Sequence, residues 1–495
     1  MKTRSPRHTG LLLLALAGAA LPLLSTSGCR TVGPEFRPPA PPATAQSFVN
    51  APGRAAASPD DTGAAGSILP PAPAAPAEGN WWTLLGDAEL DRLEARALEN
   101  SPSLVLVAAR IAESRARLGL ARADERPALS TTDSARLAGE SSERTLPIPT
   151  RPVTYRDAGD SYRLSLDASW EPDLWGRIRR SVEAARAQLE AGEADARAAR
   201  LVLTADLAAA YIGLRGLEAE ADILARTRTL RADSLSLLSS RHSAGLAPET
   251  EVHRARAELA ALDAEQADLG RRHALALNSV ALLCGSSVSE LQLQPTGRLP
   301  AVPRVPAGIP ADVLRRRPDI AAAEALLHAR TAEIGVAEAA RYPTIRLTAG
   351  GGFESPDLLA LLDRPSQFWQ LGPSLTLPIL DGGRTRANLA AAQARADAAR
   401  ADHRQKCLVA LREVEDALVD LRQLAAQAGH LAQARDSAGE ALRLLRSRHE
   451  AGLISYLEVV DAERSQLQFE RSLVQNSGAR AAASLRLIRA LGGAW

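Results

Sequence analysis

Few side chains in this 495-residue chain could carry out chemistry on their own. Its eight histidines are scattered, with no HExxH motif and no cluster of histidine and cysteine, so we expect no metal site and no cofactor. The only lysines are Lys2 and Lys406, and neither lies in a GxxxxGK[ST] sequence. This excludes a P-loop and argues against Schiff-base chemistry. We therefore predict that the chain is not an enzyme.

Cys29 is the side chain best placed for covalent modification. A positively charged start precedes an apolar stretch at 11–24, which is typical of a signal peptide and too short to span a bilayer. Small residues then lead into Cys29, as in a bacterial lipoprotein signal, although Thr26 stands where such signals usually carry leucine. We predict a signal peptide at 1–28 and acylation of Cys29. The alternative is an ordinary cleaved signal with an incidental cysteine.

Charge and composition narrow the class of protein. Lysine and arginine (59) nearly balance aspartate and glutamate (58), so nothing indicates a nucleic-acid partner. Aromatic residues make up only 3%, which favours long, closely packed helices over a bulky globular core. Cys284 and Cys407 fall in predicted helices, where we expect small buried residues. A disulfide between them is the alternative, because an exported chain enters an oxidising compartment.

Helical periodicity occupies most of the chain. It begins after a proline- and alanine-rich linker at 29–80, which we predict to be extended and poorly packed. One helical pattern runs from Leu84 to about Ala123. Two much longer helices are predicted at 176–242 and 384–449, with apolar residues alternately three and four positions apart, as in a coiled coil. No segment after the signal is apolar enough to predict a transmembrane helix.

Each long helix ends at an Ala-Gly-Leu turn, after which a second helix is predicted. Gly245 and Gly452 are expected to adopt the left-handed conformation that caps a helix. Ser455 and Glu458 predict a capping box at the start of the last helix.

The chain carries an internal two-fold sequence repeat. Segment 237–246 recurs at 444–453, including the shared Ser-Arg-His-x-Ala-Gly-Leu, at an offset of 207 residues. The same offset relates the glycines that open the two long helices. We therefore predict two structural repeats, at 81–294 and 295–495, each with a helix, two strands and a long helix pair.

Four short strands are predicted, two before each long helix. They start near Pro127, Tyr162, Tyr342 and Pro373, and the alternation in the last one continues through Ile379. An abrupt corner follows the second and fourth strands, because glycine tolerates backbone angles that other residues avoid. The predicted corner residues are Trp175, Gly176, Pro378, Gly382 and Gly383.

Four strands cannot close a membrane barrel, since the smallest such barrels have about eight strands. Open sheet edges are not tolerated in lipid, so strands in a membrane would require an oligomer. Half of the aromatic residues lie in two short windows beside the strands, as an interfacial aromatic belt would. A soluble strand pair with aromatic packing is the alternative. These aromatic residues are Tyr155, Tyr162, Trp170, Trp175, Tyr342, Phe353, Phe368 and Trp369.

Several short motifs in a fixed order resemble the TolC/OprM-type outer-membrane efflux lipoproteins, the exit channels of tripartite RND pumps. The likeness covers most of the chain after Cys29. The motifs are Val32-Gly33-Pro34-Glu35-Phe36, Trp81-Trp82, Arg317-Pro318-Asp319-Ile320, Ile334-Gly335-Val336-Ala337, Asp381-Gly382-Gly383-Arg384, Ala451-Gly452-Leu453 and Ala490-Leu491-Gly492-Gly493.

This resemblance implies a mainly α fold with membrane β structure. Three chains would form a 12-stranded β-barrel in the outer membrane that is continuous with a 12-helix α-barrel in the periplasm. The expected partners are a periplasmic adaptor protein, an inner-membrane RND transporter and outer-membrane lipid through acyl chains at the N-terminus.

The resemblance also implies a gate at the periplasmic end, closed in this family by an inward leucine, aspartate and arginine. Leu457, Asp461 and Arg464 match them, and their spacing places all three on one helix face. Asp461 would pair with Arg464 or another nearby arginine. A solvated helix pair without a gating role is the alternative.

The two helix turns would form the end that contacts the adaptor. Gly245, Leu246, Gly452 and Leu453 are the expected contact points, with plain capping as the alternative. His242 and His449 stand where the family more often has tyrosine. We expect them to pack in the turn or lie on the surface, and a pH-responsive tip is the alternative.

The predicted function is therefore a passive exit channel for small molecules, gated at its periplasmic tip. Two alternatives remain at this point. One is the exit duct of a type I secretion system, and the other is a lipid-anchored periplasmic coiled-coil scaffold without a pore.

Overall fold

The computed structural model describes residues 31–40, 47–50, 80–137, 160–300 and 310–493. Its helices and strands follow a short 3₁₀ turn at Trp81–Leu85. They run in the order α1 (Ala88–Asn100), α2 (Pro102–Ala123), β1 (Ala128–Arg136), β2 (Ser161–Trp170), α3 (Arg177–Ser243), α4 (Glu249–Leu283), α5 (Pro310–Arg316), α6 (Pro318–Ala339), β3 (Thr344–Ser355), β4 (Gln367–Thr376), α7 (Arg384–Glu450) and α8 (Tyr456–Ala490).

The four strands form one antiparallel sheet in the order β1-β2-β3-β4. Leu129 lies opposite Ala168 and Leu164 opposite Phe353, so apolar residues pair across the sheet. All nine residues of β1 are exposed. The four predicted strands are therefore present, and the sheet of one chain has two outer edges.

The last strand ends earlier than its apolar alternation predicts. Thr376 pairs with Thr344, the first residue of β3, so the residues after Thr376 have no partner strand. Pro343 and Pro378 lie beyond this last pair, and neither has an N–H with which to extend the ladder. The prediction that this strand continues through Ile379 is wrong for that reason.

The two long helix pairs have matching lengths. Helices α3 and α7 each contain 67 residues, and α4 and α8 each contain 35. Each helix of the second pair begins and ends 207 residues after its counterpart. Neither pair contains an insertion relative to the other.

The predicted helix from Leu84 to Ala123 is divided in two. Asp87 caps the start of α1 by accepting hydrogen bonds from the backbone N–H groups of Glu89 (3.0 Å) and Leu90 (3.1 Å). The helix then ends at Ser101, whose backbone is extended. Pro102 explains this break, because a proline disfavours helical angles in the residue before it.

The chain forms two compact units, and each draws on both predicted repeats. The first contains the described residues within Met1–Pro39, Ile111–Ala191 and Glu324–Ala401, and therefore holds the sheet. The second contains those within Ala40–Arg110, Gly192–Ala323 and Asp402–Trp495. The largest core of the second unit includes Leu93, Leu207, Tyr211, Leu214, Val280 and Ile488, all almost fully buried.

Part of the predicted linker packs against helices. Residues 31–36 and 47–50 belong to the predicted linker, yet both segments pack against helices, so the expectation of poor packing is wrong for them.

Cys284 and Cys407 are buried in different hydrophobic clusters, and no disulfide joins them. None of the helices within the described ranges is long and apolar enough to cross a membrane.

Candidate functional site

The two helix turns of the second unit have the same hydrogen-bond pattern. Leu246 N–H donates to the Arg241 carbonyl (2.8 Å), and Leu453 N–H donates to Arg448 (2.9 Å). Gly245 and Gly452 have φ of 75° and 73°, as the capping prediction requires. Ser455 is the N-cap of α8, but its side chain makes no capping hydrogen bond, so the predicted capping box is wrong.

The turn leaves one large apolar side chain in solvent at each tip. Leu246 is 78% exposed and Leu453 is 74% exposed. The helices behind them pack through a small apolar cluster that includes Leu238, Val252 and Tyr456, and burial raises the pKa of the Tyr456 phenol. Each tip is thus a hydrogen-bonded turn that presents an exposed leucine.

Both tip histidines hold their own turn closed. His242 Nδ1 donates to the Ala247 carbonyl (2.9 Å), and His449 Nδ1 donates to the Ile454 carbonyl (3.2 Å). Each histidine thus packs within its own turn.

The three predicted gate residues lie along the start of α8. Leu457 is 41% exposed, and the side chains of Asp461 and Arg464 are both well exposed. Arg464 Nη1 lies 3.8 Å from the Asp461 carboxylate, which is the expected pair at the outer limit of distance. Its main partner is Glu258 on α4, to which both Nε (3.1 Å) and Nη2 donate.

Glu258 joins three helices. It accepts from Arg464 on α8 and from Arg231 Nη1 on α3 (3.0 Å). Seven residues further along α8, Arg471 joins the same three helices by donating to Glu220 on α3 (2.6 Å) and Glu265 on α4 (2.7 Å). A spacing of seven residues is about two helical turns, so both sets lie on one face. The ion ladder is our name for the six side chains of Glu220, Arg231, Glu258, Glu265, Arg464 and Arg471.

All members of the ion ladder except Glu220 line a cleft of about 480 Å³ between α4 and α8. Within this cleft, the Nε of Arg231 has no hydrogen-bond partner among the described residues. Sequence reasoning missed Arg231, Glu258 and the second set. The available signal was the equal seven-residue spacing of Glu258 with Glu265 and of Arg464 with Arg471.

The first predicted corner, in the first unit, is tightly packed. Trp175 Nε1 donates to the Pro343 carbonyl (2.8 Å), and Val32 N–H donates to the Trp175 carbonyl (3.0 Å). Gly176 has φ of 82°, and a Cβ there would lie 2.4 Å from Thr31 Cγ2. Glycine is therefore required by both the backbone angle and the close approach.

The N-terminal segment is held at this corner by side chains of α3 and α6. Arg180 donates to the Val32 carbonyl (3.3 Å), and the His328 ring stacks on Phe36 at 4.4 Å. Glu183 accepts from Arg180 (2.7 Å) and from His328 (3.0 Å). Burial raises the pKa of the Glu183 carboxyl, but these hydrogen bonds outweigh it and hold the pKa below its usual range.

The second predicted corner is open and depends on one carboxylate. Asp381 accepts from the N–H groups of Gly383 (2.9 Å) and Thr385 (2.8 Å) and from the Thr385 hydroxyl (2.5 Å), which lowers the pKa of Asp381. Gly382 and Gly383 have φ of 66° and 86°. Pro378 lies in the connection that leads from β4 to this turn. The two corners thus reach the same change of direction by different contacts.

Comparison with known proteins gives consistent matches over most of the chain. The family model described as "Outer membrane efflux protein" matches residues 93–286 and 309–493. Outer membrane protein OprJ of Pseudomonas aeruginosa is 35% identical over 419 residues, which cover 84% of this chain and 86% of OprJ. Solvent efflux pump outer membrane protein SrpC of Pseudomonas putida is 32% identical over 474 residues, which cover 96% of this chain and 97% of SrpC. The solved structure of the outer-membrane channel OprN has a TM-score of 0.82 at 31% identity and covers 94% of this chain and 99% of that chain.

Proposed function

Because this chain belongs to the outer membrane efflux protein family, we propose that three copies assemble into one gated channel across the outer membrane. The chain is the outer-membrane exit component of an RND-type efflux pump. The trimer combines a 12-stranded β-barrel in the membrane with a 12-helix α-barrel in the periplasm. The two sequence repeats supply two strands and one long helix pair each.

The observation that carries this proposal is the four-stranded sheet with two outer edges. Within the described residues β1 pairs only with β2, and β4 pairs only with β3. Unpaired backbone groups are costly in lipid, so β4 of one chain is expected to pair with β1 of the next until the barrel closes. The strands also expose leucines, among them Leu129, Leu371 and Leu375, as a lipid-facing surface requires.

Planar-bilayer recording tests whether the assembled protein is a channel. Purified full-length protein is expected to give discrete conductance steps, and chemical cross-linking should yield a trimer, because three sheets are needed to close the barrel. A folded trimer that never conducts would instead support the scaffold hypothesis. Co-purification with an RND transporter and a periplasmic adaptor distinguishes the efflux role from a type I secretion duct.

We place the gate at Leu457, Asp461 and Arg464. Three-fold symmetry brings three copies of each residue together, and a ring of Leu457 side chains forms a barrier to water. Arg464 bonds to Glu258 of α4, so this ion pair holds the start of α8 against α4. Opening the tip by moving α8 would have to break this contact in each chain.

Replacing Arg464 by alanine is expected to increase the open fraction of the channel. An exposed ion pair contributes about 0.5 kcal/mol, so losing three per trimer corresponds to about tenfold in the open population. Single-channel recording measures this fraction directly. Arg443→Ala is the matched control, because Arg443 is also well exposed and, among the described residues, pairs with Glu440 of its own helix (2.6 Å) and with no other helix. Equal open fractions in the two variants and the wild type would exclude Arg464 from the gate.

The two helix turns form a second proposed contact surface. Gly245, Leu246, Gly452 and Leu453 are proposed to meet the periplasmic adaptor, which is supported by the high exposure of both leucines.

Cys29 lies outside the described residues, and we propose that it carries the acyl chains that anchor the protein in the outer membrane. The docking of Thr31 and Val32 at the first corner supports this role, because Cys29 is only two residues from Thr31.

A further inference from the structure

Residues 47–50, here called the strap, occupy a site on the second unit that the channel function does not use. Phe48 is 2% exposed and packs into an apolar pocket. The pocket is formed by helices α5, α7 and α8 through Val313, Val414, Ala417, Leu418, Leu487 and Leu491. Its neighbour Val49 is 69% exposed, so a single aromatic side chain anchors the strap.

One carboxylate on α7 binds the backbone of the strap. Glu415 Oε1 accepts from Val49 N–H (2.6 Å), and Glu415 Oε2 accepts from Asn50 N–H (3.1 Å). Two successive N–H groups thus share one carboxylate, and residues 47–50 form a bend and a turn rather than a helix. A charged acceptor makes these hydrogen bonds stronger than neutral ones.

The side chain of Asn50 is recognised at both of its ends. Its Nδ2 donates to Glu415 Oε2 (2.7 Å), and its Oδ1 accepts from Arg422 Nη2 (3.1 Å). An amide can donate and accept at once, whereas an aspartate at this position would place a second carboxylate against Glu415. The pair Glu415 and Arg422 therefore selects asparagine.

We propose that this surface is a peptide-docking site and that the strap occupies it reversibly within its own chain. The site takes a short turning peptide with an aromatic anchor followed two positions later by asparagine. The strap itself belongs to none of the helices that form the pocket, and the sequence on both sides of it has the proline- and alanine-rich composition of linkers. Its covalent attachment keeps the local concentration high, and the site is therefore mostly filled.

Docking ties the N-terminal extension to one end of α8. Phe48 shares an apolar cluster with Leu487 and Leu491, which lie at the end of α8 opposite to Leu457. The strap thus holds the far end of the helix whose beginning carries the proposed gate. The docking site itself is independent of whether that gate exists.

A synthetic peptide of residues 44–53 tests the site in the full-length protein. The Phe48→Ala variant empties the pocket, so it should bind the labelled peptide at one copy per chain and at least about tenfold more tightly than the wild type, whose own strap competes. Adding Glu415→Gln to that variant should weaken binding, as should an Asn50→Asp change in the peptide. Equal binding to wild type and variant, or none to a folded Phe48→Ala protein, would overturn the proposal.

Hydrogen exchange of the wild-type protein tests reversibility without any substitution. The amides of Val49 and Asn50 should exchange at least about tenfold more slowly than in the free peptide, yet at least about tenfold faster than those of Val414 and Leu418 on α7. Exchange at the free-peptide rate would show that the strap is not docked. Exchange as slow as that of α7 would show that it is fixed core rather than a docked peptide.

Discussion

Replacing Arg317 by alanine is expected to lower the free energy of unfolding by about 3 kcal/mol. The Arg317 guanidinium is mostly buried and bonds to Asp319 (2.7 Å), Glu413 on α7 (2.6 Å) and the Ala490 carbonyl at the end of α8 (3.1 Å). Alanine removes all three contacts and leaves two carboxylates without their counter-charge. The estimate lies at the low end for a broken buried pair, because both carboxylates are partly exposed.

Thermal and chemical unfolding of the purified protein measure this loss. Arg315→Ala is the matched control, since Arg315 is exposed and Asp312 (2.6 Å) is its one ion-pair partner within the described part of the chain; its loss should cost no more than about 1 kcal/mol. Arg317→Lys should fall between the two variants, because lysine keeps the charge but cannot bond in several directions from one plane. If the Arg317→Ala protein were as stable as the Arg315→Ala protein, Arg317 would not hold α7 and α8 together.

Replacing Glu94 by glutamine is expected to stabilise the protein by about 3 kcal/mol near neutral pH. Glu94 is fully buried on α1, and neither carboxylate oxygen has a hydrogen-bond partner among the described residues. Burial first, and the nearby Asp91 second, raise the pKa of Glu94 to about 9. The folded protein must therefore keep a proton that the unfolded chain has already released.

The pH dependence follows from that difference in bound protons. In the unfolded chain the Glu94 carboxyl has a pKa of about 4.5. Below that pH Glu94 is protonated in both the folded and the unfolded state, so it does not lower the free energy of unfolding. Between about 4.5 and about 9 only the folded state holds the proton, so wild-type stability falls as pH rises, by about 1.4 kcal/mol per pH unit.

Unfolding measured at several pH values tests this assignment. Glu94→Gln and wild type should differ little at about pH 4 and should diverge steadily as pH rises towards about 8. Glu99→Gln on the same helix is the control and should track the wild type, because Glu99 is exposed. A gain in stability that does not change with pH would mean that Glu94 is not the titrating group.

The helices were the most predictable part of this protein. The three-four spacing that places Leu207 and Leu214 in one seam is local information, and both residues are fully buried as expected. Helix ends were equally readable, because only glycine adopts the left-handed angles found at Gly245 and Gly452 without cost. The break at Ser101 is also encoded locally, because Pro102 disfavours helical angles in the residue before it.

The contacts between helices were less predictable. The sequence predicts a pair between Arg464 and Asp461, whereas the main partner of Arg464 in the structure is Glu258, 206 residues earlier. Charged residues are frequent on every helix face, so periodicity does not say which pair will meet. The same holds for Phe48, whose position in a proline-rich stretch gave no sign that it would be buried.

The sequence by itself determined the membership of the family, the lengths of the two long helix pairs and the presence of four strands. These features depend on residue order over short distances, through periodicity, helix caps and the repeat of 207 residues. Only the tertiary structure decided the end of β4 at Thr376, the ion ladder and the docking of the strap. Each of these needs a partner far away in the chain, and the free energy of such a contact depends on a proximity that local sequence does not specify.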